Sequence, residues 1–242
     1  MWTKNHDKNF LPKILILIFV LSFFVFDTAT AQQSAPALSR VEGPKLLITW
    51  RAESYVPPWF AGKALPTANS GLTASVELMD SGRAVNVSGQ KIYWYVNSEP
   101  IGSGVGLQRI TFAAHGVAGN TLDLRAEIPS YQFVLKTVEI PTVDPEAVIE
   151  APYANRGFSS LSPNFSGWPF FFNVKRASDL ATSWLVNGAS AQSAEDPGHL
   201  TVNLNQDAPP GANLNIALTI SAPGNLASIA TKMVNLMLSR ER

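Results

Sequence analysis

Two four-residue stretches, Trp94-Tyr95-Val96-Asn97 and Trp184-Leu185-Val186-Asn187, stand 90 positions apart, and the likeness continues beyond them. The run from Ile110 to Ile128 can be laid on Val202 to Ile220 at an offset of 92, setting Gly119 on Gly211, Leu122 on Leu214, Leu124 on Ile216 and Ile128 on Ile220. A two-residue difference in an intervening loop accounts for the change of offset, and loops tolerate such differences. A chain that repeats itself at this spacing builds one structural unit twice.

The repeated positions have a period of two. Leu122, Leu124, Ala126 and Ile128 alternate with Thr121, Asp123, Arg125 and Glu127, and Leu214, Ile216, Leu218 and Ile220 alternate with Asn213, Asn215, Ala217 and Thr219. Strict alternation is the pattern of a half-buried strand, because successive side chains point to opposite faces. Leu72, Ala74, Val76 and Leu78 repeat it, and "KLLITW" and "QKIYWYV" are further strand-like runs. Near the end, Leu226, Ile229, Ala230, Met233 and Met237 fit a helical stripe or a strand, and the repeat favours the strand.

The expected fold is therefore all-β: two tandem immunoglobulin-like (PKD-like) β-sandwich domains after an N-terminal signal peptide. The expected boundaries are a signal peptide at 1–31, a flexible leader at 32–43, one sandwich at 44–140, a Pro-stiffened linker at 141–146 and a second sandwich at 147–242. Short strands, frequent turn residues, a central Trp and this unit length resemble the tandem Ig-like and PKD-like modules of exported bacterial proteins. The resemblance rests on pattern across nearly all of the mature chain; the Cys pair of antibody domains is absent, since the chain has no Cys. In such a sandwich Trp94 and Trp184 fill the thin core, and Asn97 and Asn187 suit the turns that follow.

Location follows from the other end. Lys4, Lys8 and Lys13 precede the apolar run Ile14 to Phe26, and Ala29-Thr30-Ala31 supplies small residues for cleavage after Ala31. The apolar run falls short of the roughly 20 residues of a membrane-spanning helix. The chain is expected outside the cytoplasm, in the extracellular space, on the cell surface or in the periplasm, and to meet a membrane only through an uncleaved signal segment. Removing 1–31 leaves 15 basic residues against 16 acidic ones. That near-neutrality argues against a nucleic-acid partner, which needs a basic excess or stripe.

Chemistry-bearing residues are sparse. His115 and His199 lie in expected loops with no second ligand at metal-site spacing. Asn203 to Asp207 and the Glu195-Asp196 pair offer oxygens but do not match a calcium-loop pattern. No nucleophile motif such as G-x-S-x-G occurs. No catalytic residue, metal site or cofactor is expected, and zero Cys excludes thiolate chemistry. Asn86-Val87-Ser88 and Asn164-Phe165-Ser166 fit the N-glycosylation triplet, which is too short to carry a function.

The unusual stretch is "SYVPPWFAGKALP", Ser54 to Pro66, which places Tyr55, Trp59 and Phe60 in a Pro-rich segment too irregular for a strand. Either the loop folds back across a sheet edge and buries the rings, or the rings form a ligand platform with Lys63 as donor. The later "NFSGWPFFF" reads as a strand carrying Trp168, Phe170 and Phe172 into the core. By analogy of fold, the chain is expected to be a non-catalytic spacer or adhesion module whose partners are other cell-surface or envelope proteins. The alternative is a carbohydrate-binding module using Tyr55, Trp59, Phe60 and Lys63, with a glycan as partner.

Overall fold

The structure is a computed structural model that describes residues 43–151, 153–191, 196–224 and 228–239. The expected signal peptide and nearly all of the leader lie outside the described residues. Among the described residues no helix is long and apolar enough to cross a membrane.

The first half contributes β1 (Lys45–Ala52), β2 (Gly71–Asp80), β3 (Arg83–Val85), β4 (Lys91–Val96), β5 (Glu99–Val105), β6 (Arg109–Ala113), β7 (Thr121–Ile128) and β8 (Val134–Pro141). One sheet joins β1, β3 and β6 to β2, and the facing sheet has the order β5-β4-β7-β8. The second half contributes β9 (Glu146–Glu150), β10 (Gly157–Phe158), β11 (Asn164–Phe170), β12 (Ala181–Val186), β13 (Ala189–Ala191), β14 (His199–Thr201), β15 (Asn213–Ser221) and β16 (Ile229–Leu238). Its sheets have the orders β14-β11-β9 and β10-β16-β15-β12-β13.

Both halves follow one itinerary. The chain lays two main strands in the first sheet and two in the second, returns once to the first, and ends with two in the second. That alternation between sheets is the immunoglobulin-like sandwich, and the fold is all-β. The halves differ in one accessory strand each: β3 extends β2 as a hairpin, whereas β10, between two strands of the first sheet in sequence, pairs parallel with β16 of the second. The stretch open to a helical reading is β16, paired antiparallel with β15 from Ile229 to Met237; Leu226 lies outside the described residues.

The repeat is structural down to single hydrogen bonds. Trp94 and Trp184 are both buried on the third main strand. Each indole Nε1 donates to a backbone carbonyl thirteen positions on, Leu107 O and Pro197 O, at 2.9 Å in both cases. Asn97 and Asn187 each adopt φ 49, the left-handed region that Asn enters more readily than most residues. Asn97 N donates to Asp123 O (3.0 Å) while its Oδ1 accepts from Asp123 N (3.0 Å). Asn187 N donates to Asn215 O (2.8 Å), and its Oδ1 accepts from Asn215 N (2.8 Å). One side chain thus replaces a missing ladder partner at the same corner of each sandwich.

Buried apolar side chains fall into two clusters, one running from Leu46 to Ile140 and one from Ala147 to Leu238. Between them, Thr142 is buried, and its Oγ1 donates to Val117 O (2.7 Å) and Asn120 O (2.9 Å). Val143 N donates to Pro66 O (3.0 Å), so this connecting segment is fastened to loops of the first sandwich.

Candidate binding surface

Pro57 and Pro58 decide the course of the chain between β1 and β2. Neither has an N–H to give a ladder, and each restricts the residue before it, so the strand ends and a loop projects. The neck of the loop is closed by three contacts. Glu53 N donates to Gly71 O (2.8 Å), Ser54 Oγ to Leu65 O (2.6 Å) and Ser70 Oγ to Thr67 O (2.9 Å). A turn in which Phe60 N donates to Pro57 O (2.9 Å) shapes the tip.

The tip does not fold back on the sheet edge of its own sandwich; it reaches the second one. Tyr55 forms an antiparallel bridge with Phe172. Tyr55 N donates to Phe172 O and Phe171 N donates to Tyr55 O, both at 2.7 Å. Trp59 stands edge-on to Trp168 (centroids 5.2 Å, 83°) and to Phe170 (5.9 Å, 76°), and Phe60 stands edge-on to Phe170 (5.3 Å, 85°). Edge-to-face pairs within 4.5–7 Å each contribute about 0.5–1.5 kcal/mol beyond area burial. Asn173 Nδ2 adds a bond to Asn69 O (3.2 Å). The loop is a clasp between the sandwiches.

On β11 the parity facing the second core holds Phe165, Gly167 and Pro169, all buried. A Cβ on Gly167 would come within 2.8 Å of both the Trp184 ring and Leu218, so the absence of a side chain makes room for the Trp. Trp168 and Phe170 occupy the opposite parity. Phe170 is buried without belonging to either core cluster, covered by rings of the clasp. Phe172 does enter the core, because Phe171 at φ 61 breaks the alternation and turns the chain inward. The expectation that Trp168, Phe170 and Phe172 share a core-facing side therefore holds for Phe172 alone.

Lys63 does not join the other three candidates. Its Nζ lies 3.2 Å from the centroid of the Trp50 ring, and partial burial there pushes its pKa down. Burial pushes the Tyr55 phenol up. The structure thus gathers Tyr55, Trp59 and Phe60 at the junction. It adds residues that the sequence reading did not select for binding: Trp168, Phe170, Phe171, Glu150, His199 and Asp196. Trp168 Nε1 donates to Glu150 Oε2 (2.9 Å), and its ring meets the His199 ring edge-on at 6.2 Å. His199 Nδ1 lies 2.7 Å from Asp196 Oδ2. The Gly198 backbone N–H and then His199 hold the Asp196 carboxyl below its ordinary value. A signal for the added rings was present: two large aromatics on the outward parity of a strand need a cover.

Despite this packing, Trp59 remains 57% exposed. The junction therefore presents a partly open indole beside Trp168, which itself is bound to the Glu150 carboxylate. Among the described residues, no three His, Asp or Glu side chains stand where they could hold a metal ion together.

No family model matches the chain, and no curated protein matches it. The solved structures similar to it share low sequence identity with it, 13%, 12% and 14% in the three that follow. Three N-terminal domains of the bacteriophage RB49 Highly Immunogenic Outer Capsid protein align over 81% of this chain at 13% identity and a TM-score of 0.46. The chain spans 59% of that fragment, less than two thirds of it. The fibronectin(III)-like modules of Clostridium thermocellum CbhA align over 80% of this chain and 94% of theirs (12% identity, TM-score 0.25). The Yersinia pseudotuberculosis adhesin InvE aligns over 80% of this chain and 60% of its own (14% identity, TM-score 0.26). The fold assignment rests on the strand order and register above.

Proposed function

We propose that the chain is a non-catalytic, exported interaction protein whose two sandwiches, read as PKD-like modules, act as a short stiff spacer or adhesion piece among cell-surface or envelope proteins. The observation that carries this reading is the clasp. A connector between modules needs only a few residues, yet here an 18-residue excursion between β1 and β2 (53–70) is used to bridge Tyr55 to Phe172 and to interlock four aromatic rings. Holding two modules in one arrangement serves a part that must set a distance or present a composite surface. Export rests on the N-terminal segment, and the mature chain should begin at Gln32.

The reading is tested in cells that make the full chain. N-terminal sequencing should find Gln32 and fractionation should place the protein outside the cytoplasm, while photo-cross-linking from the exposed sheet faces should trap envelope or surface proteins. A cytoplasmic chain that keeps Met1 to Ala31 contradicts it.

A second reading has its own support. The partly open indole of Trp59 beside Trp168, with Glu150 and Asp196 as acceptors nearby, suits the alternation of C–H faces and hydroxyls on a sugar ring, so the same junction is a candidate glycan platform. In this version Tyr55 and Phe60 are its supports, and Lys63, held over Trp50, contributes only from the side. A screen of soluble glycans against wild type and Trp59→Ala decides: saturable binding lost in the variant supports the platform, and no binding to any glycan removes it.

A further inference from the structure

The second sandwich carries an outer sheet face unlike its counterpart in the first. On β12, β15 and β16, the outward parity holds Leu185, Ala217 and Met233 as direct partners across three strands, with Met237 and Ile229 farther along β16. Leu185 (41%), Met233 (59%) and Met237 (51%) are open to solvent. None of the outward positions of these three strands bears a charge. Amide and hydroxyl ladders flank the apolar row: Asn215 Nδ2 donates to Asn235 Oδ1 (2.5 Å), and Thr219 pairs with Thr231 (3.0 Å).

The corresponding sheet of the first sandwich shows that this is not required by the fold. There the outward positions include Asp123, Arg125, Glu127 and Lys91; Arg125 is bound to Glu127 (3.0 Å) and lies over Tyr95 (4.4 Å), and Lys91 lies over Tyr93 (4.9 Å).

We infer that the outer β12-β15-β16 face of the second sandwich is a self-association surface, occupied by the same face of a second copy of this chain in a two-fold dimer. Two features select that occupant. A two-fold contact sets this surface against a copy of itself, and a face without charge brings no like charges together and buries none unpaired. The row is also balanced, with small Ala217 in the middle and a long side chain on either side. A two-fold axis through the middle therefore brings the two sheets closest at Ala217 and leaves Leu185 and Met233 to interdigitate around it. A charged partner would lose solvation here without gaining a counter-charge.

Size sets the strength. Three strands about 4.8 Å apart and up to about 30 Å long offer on the order of 500 Å² per copy. Stable interfaces bury roughly 800 Å² per partner, so the dimer belongs at the weak, reversible end. The inference does not depend on the spacer reading, since a dimer can form whether or not the pair spans anything.

Sedimentation velocity of the full chain, expressed with its own N-terminal segment and purified in the form that cells accumulate, tests it. Wild type should pass from monomer to dimer with a midpoint in the micromolar range, roughly 1–100 µM. Met233→Lys, which sets two positive charges into the contact, should weaken association at least about tenfold without lowering the Tm, and Thr137→Lys on the first sandwich should change nothing. If Met233→Lys melts early, Leu185→Lys is read in the same way. Wild type that stays monomeric to about 100 µM overturns the inference, and so does a dimer that Met233→Lys leaves intact.

Discussion

In the first sandwich Trp94 shares its core with aliphatic side chains, the inward row of β2 being Leu72, Ala74, Val76 and Leu78. In the second, Trp184 lies in a cluster with Phe158, Phe165 and Phe172, and β11 leaves Gly167 bare beneath the indole. The two indoles make the same 2.9 Å bond, and the two turns use the same Asn with the same φ. What the copies share is the set of groups that must satisfy the backbone at a corner where the ladder ends. What they do not share is how the remaining volume is filled, since a core accepts any combination of about the right size and polarity. The freedom extends outward: one copy gained a charged, ring-lined sheet face, the other a neutral one, and one projects a loop that the other receives.

The sharpest way to break this comparison is to remove its common part. Trp94→Ala and Trp184→Ala should each cost about 3–5 kcal/mol in denaturant titrations, because each deletes a buried ring and orphans a carbonyl. A large difference between the two would mean that the shared position does unequal structural service. Next is the part that differs. Gly167→Ala should cost about 1–3 kcal/mol, since the new methyl meets Trp184 and Leu218 at 2.8 Å. β2, the counterpart strand, has no glycine beyond Gly71 at its start, and no glycine of the first sandwich stands against its Trp94 ring.

Smaller again is the corner. Asn97→Ala and Asn187→Ala should each lose about 1–2 kcal/mol through the lost side-chain acceptor and a left-handed backbone, and Asn→Gly should recover part of that. The smallest effect belongs to the second copy alone. Asp196 has its pKa depressed, so its contribution is complete above the ordinary carboxylate pKa of about 3.9 and disappears as the pH falls through the lowered folded value. With the group largely exposed and screened, Asp196→Asn should cost only about 0.2–0.5 kcal/mol at pH 6 and progressively less as the pH falls below about 3.9, read from paired melts at each pH.

How much of this was legible in the sequence follows from the range of each interaction. Period-two alternation in Leu122 to Ile128 and Leu214 to Ile220 is local, and it reports the strands and their buried faces directly. The Trp and Asn pairs are visible because the same local requirement occurs twice. The partner of Tyr55, by contrast, is Phe172, over a hundred residues away. Nothing near Tyr55 encodes that choice, so the loop's aromatics could be singled out but not placed. Trp168 and Phe170 misled for a different reason. Counting apolar residues finds the rings and passes over Gly167, although the glycine marks the core side and the rings mark the covered outer one. The kink at Phe171, a left-handed residue that is not glycine, has no sequence signature.

The central claim is that the loop from Tyr55 to Phe60 joins two separately built sandwiches into one unit. Differential scanning calorimetry of the full chain, wild type beside the double variant Trp59→Ala/Phe170→Ala, addresses it directly. Wild type should unfold in a single transition, and the double variant, with the rings gone from both sides of the clasp but each Trp core intact, should unfold in two. Two independent transitions already present in the wild type, or one unchanged transition in the variant, would contradict the claim.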